Sequence, residues 1–183
     1  SILLLLAVGQ TVVIITRNVD LSVGSVSALG SVVSALFIQQ MAPGLSIGAT
    51  LLVGAACGLL SGGLVAFLRL PPFVTTLAVM TIARGAALIA SAGQPIRMGE
   101  AGKSITAFGS GYIAGVPYPV ILMVAVFVVA GLVLTFTRFG RLVKAIGSNE
   151  EAVRLSGIPV SRYVVGVYVI SGVLAAAAGI IST

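Results

Sequence analysis

The sequence is poor in charge, and it lacks histidine and tryptophan entirely. Only 8% of its 183 residues are charged, whereas soluble domains carry about 25%. So few charges cannot cover a water-facing surface, which excludes an ordinary soluble domain. With no histidine and a single cysteine, Cys57, the chain offers no intrachain disulfide and no cluster of side chains that could hold a metal ion.

What the chain has instead is apolar length and many glycines. Apolar residues make up 58% of the sequence, and it contains 23 glycines. Such a composition requires lipid as the main solvent, and the many small residues are typical of closely packed membrane helices. The sequence therefore predicts an integral membrane protein that meets a lipid bilayer along most of its surface.

Six apolar stretches, separated by turn residues, predict six membrane-spanning helices. A helix needs about 20 residues to cross roughly 30 Å of hydrocarbon. The stretches are 1–16, 19–38, 44–68, 72–91, 119–137 and 163–183. We therefore expect an all-α fold, a polytopic transmembrane helical bundle that forms a single domain over residues 1–183. The two longest connecting loops, at 93–118 and 138–162, are expected on opposite sides of the membrane.

The basic residues predict which loop faces the cytoplasm. Half of the ten lie in the loop 138–162, at Arg138, Arg141, Lys144, Arg154 and Arg162. With this loop inside, Arg17 and Arg69 also fall inside, while Arg97 and Lys103 fall outside. Cytoplasmic loops carry the excess of lysine and arginine, so this orientation is favoured. The same clustering between apolar spans explains the net charge of +6 without a nucleic-acid partner.

The third apolar stretch has glycines at a spacing that suits helix packing. They are Gly44, Gly48, Gly54, Gly58 and Gly62. Glycines four residues apart let helix backbones approach closely in lipid, where no hydrophobic effect drives helices together. The spacing indicates packing within one bundle or, as an alternative, the contact between two copies of the chain.

The stretch AIGSNEEAVRLSGIPVSRY, residues 145–163, reads like a soluble helix inside this apolar chain. Ser148 and Glu151 have the spacing of a capping box, in which each side chain bonds the other's backbone amide. Glu150 and Arg154 form an i,i+4 pair in the favourable order. Both features predict the start of a short helix in this loop.

The end of the short helix is equally marked. Gly157 suits a left-handed C-cap, and Pro159 stops the helix from resuming. The predicted helix, about 149–156, is too short to span a membrane and unstable on its own in water. Its apolar side chains must therefore hold it against its own bundle or present it to a cytoplasmic partner.

Three ordered motifs resemble those of permease subunits in monosaccharide (ribose/xylose/galactose-type) ABC importers. They are VDLSVGSVSALGSVVSAL (19–36), LPPFVTTLAVMTIARGAALIASAGQPI (70–96) and the stretch 145–163. Val153 departs from the family pattern, which usually has an alanine there. The resemblance implies a longer parent protein with about ten spans, of which this sequence would be a fragment that lacks the first span and the C-terminal third.

The resemblance implies transport without chemistry of the chain's own. Two copies would form the pathway in the bacterial inner membrane, a periplasmic sugar-binding protein would deliver the sugar, and a separate cytoplasmic subunit would hydrolyse ATP. The chain itself would bind no cofactor or metal. The short helix would be the contact with the ATPase, through Asn149, Glu150, Glu151, Arg154, Ser156 and Gly157.

Polar residues in or beside the spans are candidates for the pathway. They are Asn18, Asp20, Ser22, Thr75, Thr76, Arg84 and Gln94. Arg84 lies well inside a span, where a charge is costly, and it is either an anchor or a donor to sugar hydroxyls. Asp20 is either the N-cap of the second helix or, as the resemblance suggests, part of the permease core near the cytoplasmic face.

Other functions are weighed on the same residues. A permease for branched-chain amino acids or nucleosides has a similar architecture. An ion-coupled secondary transporter would more often place an acidic side chain at mid-span, and we expect none here. RMGEAGKS (97–104) ends like a phosphate-binding loop but has Arg97 where the first glycine is required, and no nucleophile–base pair suggests an enzyme.

Overall fold

A computed structural model describes residues 2–96, 111–113 and 115–183. Over these ranges the chain forms eight α-helices and one β-ribbon. They are α1 (Ile2–Ile15), α2 (Val23–Phe37), α3 (Pro43–Ala66), α4 (Pro72–Ser91), β1 (Tyr112–Ile113), β2 (Val116–Pro117), α5 (Tyr118–Phe136), α6 (Arg138–Ser148), α7 (Glu150–Leu155) and α8 (Val160–Ser182). The helical class is confirmed, with the addition of the two short antiparallel strands in the loop before α5.

The six predicted apolar stretches correspond to six apolar helices, α1 to α5 and α8. In the described residues, four of them (α3, α4, α5 and α8) are long and apolar enough to cross a membrane, and α1 and α2 are shorter, with 14 and 15 residues. Helix α2 begins at Val23 and not at 19, because residues 16–22 are not helical.

Helix α8 lies at the centre of the bundle and packs against α1, α2 and α3. It begins at Val160, three residues earlier than predicted, because Pro159 occupies its N-cap position and leaves the following residues free to be helical. Its contact with α3 is antiparallel and made backbone to backbone. A Cβ atom at Gly58 would overlap the carbonyl oxygen of Tyr168, and one at Gly62 would lie 2.8 Å from the Cα of Val165.

The other end of the glycine series does not make such a contact. In the described part of the chain, a Cβ atom at Gly44 or Gly48 would meet nothing within 4 Å. At this end α3 contacts α2 through a side-chain hydroxyl: the buried Ser46 donates to the Ser34 carbonyl oxygen at 3.2 Å. Gly54, Gly58 and Gly62 therefore lie against α8, whereas Gly44 and Gly48 form an open helix face in the described chain. A contact of that face with a second copy stays a prediction.

Two clusters of buried side chains divide the core along α8. One lies at the α6–α7 end and contains Val12, Val13, Val143, Ile146, Val153, Val160, Val164, Val167 and Tyr168. The other joins α2, α4 and α8 through Val26, Leu29, Ala83, Ala87 and Ala175. The first cluster is the one that fixes the short helix α7 to the bundle, because Val153 of α7 belongs to it.

Candidate coupling and transport site

The short helix α7 begins with a side-chain cap, but the capping residue differs from the prediction. Asn149 accepts a hydrogen bond from the Ala152 amide at 3.1 Å, and its extended backbone (φ −153°, ψ 93°) suits an N-cap. Ser148 is still helical, as the last residue of α6. The capping box of Ser148 and Glu151 is therefore wrong, because α6 continues one residue too far for Ser148 to cap α7.

The other local features of α7 are present. Arg154 forms ion pairs with Glu150 and, at 3.4 Å, with Glu151. Gly157 ends the helix in a left-handed conformation with φ +77°, and Ser156 donates its hydroxyl to the Ala152 carbonyl at 2.9 Å. The helix is thus closed at both ends by local hydrogen bonds and backbone geometry.

One side chain fixes α7 to the protein, and the rest face outward. Val153 is 8% exposed within the core cluster, whereas Leu155 is 80% exposed. The three charged side chains of the helix are also exposed. An exposed leucine among paired charges on a capped helix is a surface that another protein could cover, since partly apolar patches with charged rims are typical of interfaces.

Helix α6 was missed by the sequence reasoning, which treated 138–148 as loop. Its inner face has Val143 and Ile146, at 0% and 2% exposure. Its outer face has Arg138, Arg141 and Lys144, all exposed. Apolar and basic residues that alternate every three to four positions are the signal of an amphipathic helix, and this signal is visible in RFGRLVKAIGS.

A cavity of about 530 Å³ opens beside α7. Charged and polar residues on its wall include Asn18, Arg69, Glu150, Arg154 and Ser161. The remaining wall is apolar and comes from the end of α3, the turn into α4, and the start of α8 with the two residues before it. Arg17 lies at the same end, where its guanidinium donates to the Ser148 carbonyl oxygen at 3.1 Å. Arg17 and Arg69 therefore share one end of the bundle with α6 and α7, as the charge pattern predicts.

Asp20 is the most deeply buried charged side chain of the predicted pathway set, with 3% exposure. Its Oδ1 accepts from the Ser22 amide at 3.0 Å and from the Ser22 hydroxyl at 2.6 Å. Its Oδ2 accepts from the Ser171 hydroxyl at 2.9 Å. Asp20 is therefore not the N-cap of α2, because Ser22 occupies that position.

The contact of Asp20 with Ser171 lies well inside α8. Ser171 is the twelfth residue of α8 (Val160–Ser182), about 16 Å from the first residue at 1.5 Å per residue. An acidic side chain is thus buried beside a helix that is long and apolar enough to span a membrane, and residues 16–22, which are not helical, bring it there. A place for Asp20 near the cytoplasmic face stays a prediction.

The remaining pathway candidates are spread over α4. Thr75 and Thr76 are buried in its first turns, and Thr76 donates to the Pro72 carbonyl at 2.9 Å. Arg84 is exposed, and no described residue pairs with it; Gln94 is exposed beyond the end of α4. The structure thus brings Asn18, Asp20 and Ser22 into one segment and does not bring Arg84 or Gln94 to them. The segment 97–104 and Lys103 lie outside the described residues.

Comparison with known proteins agrees with this architecture. Residues 1–183 match a family model described as branched-chain amino acid transport system / permease component. The chain belongs to this permease family. Among curated proteins, this permease is 40% identical to a ribose import permease of Haemophilus influenzae, over all of this chain and 58% of that protein.

Further relatives extend the comparison to other sugars. A ribose import permease of Escherichia coli strain K12 is 41% identical over 99% of this permease and 57% of that protein. A fructose import permease of Bifidobacterium longum is 37% identical over 98% of this permease and 51% of that protein. The chain thus spans somewhat more than half the length of these relatives. No solved structure matches it.

Proposed function

We propose that this chain is the transmembrane permease subunit of an ABC importer that moves a monosaccharide across the bacterial inner membrane. The observation that carries the proposal is α7, a capped, exposed helix held to the bundle by one buried side chain. A bundle that only formed a passive pathway would have no use for such a helix. The sugar names of the relatives support a monosaccharide as the substrate.

The coupling role is assigned to six residues of the helix and its caps. They are Asn149, Glu150, Glu151, Arg154, Ser156 and Gly157. Their local hydrogen bonds and ion pairs make α7 a stiff unit, and a stiff unit passes on displacement better than a mobile loop. The ATPase subunit would grip the charged outer face, while Val153 passes the movement to the core at the α6–α7 end.

The partners follow from the same proposal. A cytoplasmic ATPase subunit binds and hydrolyses ATP, a periplasmic sugar-binding protein delivers the substrate, and a second copy of the permease completes the pathway. The open glycine face of α3 at Gly44 and Gly48 is a candidate for that second contact. The permease itself binds no cofactor and no metal and catalyses no reaction.

Two alternatives are kept because specific observations favour them. The description of the matching family names branched-chain amino acids, so that substrate class competes with sugar. A buried acidic side chain such as Asp20, beside a helix long enough to span a membrane, is a feature of ion-coupled carriers. Uptake measured in proteoliposomes with ATP supplied inside, with and without an imposed ion gradient, separates an ATP-driven importer from a carrier.

The coupling role is tested by the double substitution Glu151→Lys with Gly157→Val. We expect membrane insertion to be retained and sugar uptake to be lost, together with co-purification of the ATPase subunit. The matched control is Gln40→Lys with Gly131→Val, which changes charge and adds bulk at an exposed turn and at an open glycine of α5. Unchanged uptake and unchanged co-purification in the α7 variant would rule out the coupling role.

A further inference from the structure

Residues 16–22, here called the strap, join α1 to α2 and are not part of either helix. Non-helical backbone at membrane depth is tolerated only where it is buried in protein or lines a cavity, because lipid cannot satisfy its polar groups. The strap is in this situation, since Thr16, Asp20 and Ser22 are all buried. A buried segment without helical structure is costly, so the contacts at its two ends indicate what it serves to connect.

The first end of the strap contacts the corner between α6 and α7. Arg17 donates to the carbonyl oxygen of Ser148 at 3.1 Å, directly before the N-cap residue Asn149. A Cβ atom at Gly147 would overlap the carbonyl oxygen of Ile15, so the two backbones touch where α1 passes into the strap. Asn18 shares the wall of the cavity with Glu150 and Arg154 of α7.

The second end of the strap contacts the middle of α8. Asp20 accepts from Ser171 at 2.9 Å, and the Val19 carbonyl accepts from the hydroxyl of Tyr168 at 3.3 Å. Tyr168 is fully buried in the core. The contact is therefore made to a part of α8 that is packed on its other side against α3.

Between its ends the strap is stiffened by its own side chains. The side-chain amide of Asn18 donates to both the carbonyl and the hydroxyl oxygen of Thr16, at 3.1 and 2.9 Å. The backbone amide and the hydroxyl of Ser22 both donate to the carboxyl group of Asp20. These bonds fix the first and the second half of the strap separately, and Val19, which joins the halves, is held through its carbonyl oxygen by the hydroxyl of Tyr168. A displacement at Arg17 is therefore passed along the backbone of a strap that is held on both sides of Val19.

We infer that the strap transmits the movement of α7 to the centre of the bundle, with Asp20 as a positioning residue that holds Ser171 of α8. This inference rests on the proposed function, because it needs a subunit that moves α7. Asp20 and Ser171 are both buried, and a hydrogen bond is stronger in the low dielectric of the interior than in water. The Asp20–Ser171 contact therefore holds α8 to the strap as it moves.

The test uses the assembled transporter, with its ATPase subunit and its sugar-binding protein, in proteoliposomes. The variants are Asp20→Asn, Ser171→Ala and the two combined, and the readout is the number of sugar molecules transported per ATP hydrolysed. We expect this ratio to fall about tenfold in each variant, while ATP hydrolysis stays close to that of the wild type. The combined variant is expected to be no worse than the worse single variant, because both changes act on the same hydrogen bond: Asp20→Asn replaces an acceptor oxygen by a donor and Ser171→Ala removes the hydroxyl.

Ser182→Ala is the matched control, since that hydroxyl donates to the Gly179 carbonyl of its own helix at 2.8 Å, and its ratio should be unchanged. If Asp20→Asn gives no folded protein, Ser171→Ala decides alone, because it removes one oxygen atom. An unchanged ratio with lowered thermal stability would overturn the inference and leave Asp20 an anchor. Absence of ATP-driven sugar uptake by the wild type would overturn the proposed function instead.

Discussion

Helices α5 and α8 are both apolar enough to span a membrane, yet their surroundings differ sharply. The most apolar window of α5 has a mean hydropathy of 2.8, and 6% of it is buried in the protein. For α8 the mean hydropathy is 2.3, and half of the window is buried. The more apolar helix is thus the less buried one, the reverse of what a water-soluble protein would show.

The difference shows that the hydropathy of a helix indicates how far lipid surrounds it, whereas its small residues indicate where it packs against another helix. Ten residues of α8 are buried, six of them glycine, alanine or serine. Within the described helix α5, Pro119 alone is buried, and the rest of the sequence is mainly valine, leucine and phenylalanine. Lipid solvates such side chains as well as a protein core would, so helices associate through close backbone packing and through hydrogen bonds between them.

The largest effect is expected where this close approach is blocked. Gly58→Leu places a side chain against the carbonyl of Tyr168 and, at 2.7 Å, the Cα of Val169, and backbone atoms cannot move aside. We expect a destabilisation of about 3 kcal/mol, measured as the unfolding free energy in detergent micelles titrated with denaturant. The matched control, Gly131→Leu on α5, meets nothing within 4 Å in the described chain.

A comparable loss of stability in the Gly131 variant would break the comparison, because it would show that α5 is packed as closely as α8. Loss of stability in the Gly58 variant alone would support the comparison, because it would show that α8 is closely packed and α5 is not. Both variants add the same apolar side chain, so hydropathy cannot account for a difference between them.

The next largest effect is expected from removing side-chain volume and not from a steric overlap. Val167 of α8 is fully buried, whereas Val129 of α5 is 58% exposed. Val167→Ala leaves a cavity that costs about 2 kcal/mol, while lipid fills the space that Val129→Ala leaves, with almost no cost. The same unfolding measurement checks the pair, and equal costs would contradict the view that α5 faces lipid.

Much of the fold could be predicted from sequence, because apolar length and turn residues determine where a helix crosses lipid. The stretch 72–91 was predicted with the bounds that α4 has. Gly54, Gly58 and Gly62 were expected to pack, and they lie against α8. Gly44 and Gly48 have the same spacing but no neighbour in the described chain, since spacing defines a face and not what covers it.

The candidate site was harder to predict, for reasons that are local. Asn149 competes with Ser148 for the cap of α7, and the length of α6 decides between them. The contact of Asp20 with α8 was not predicted, because apolar periodicity on both sides of Asp20 suggested one continuous helix from residue 19. The contact joins Asp20 to Ser171, 151 positions away, and no local pattern encodes it.

A third region, α7, extends the comparison, because it depends on hydrogen bonds where α8 depends on packing. Asn149→Ala removes the side chain that accepts from the Ala152 amide and should destabilise α7 by about 1 kcal/mol. Ser148→Ala, the control, removes a hydroxyl that caps nothing and should have no measurable effect. Hydrogen exchange of the α7 amides checks both, and faster exchange in the Ser148 variant would restore the capping box.

The smallest effect is expected from the ion pair of α7. Glu150 and Arg154 are about half exposed, and exposed pairs at this spacing contribute about 0.4 kcal/mol. Glu150→Gln should therefore speed exchange of the α7 amides less than twofold, and the difference from the wild type should vanish in 1 M salt, because salt screens exposed charges. Glu151→Gln is the control, with its longer contact of 3.4 Å, and should change exchange still less. If Glu150→Gln increased exchange of the α7 amides as much as Asn149→Ala, the ion pair would stabilise α7 as strongly as the cap does. The comparison of α7 with the closely packed α8 would then have to include ion pairs beside hydrogen bonds and packing.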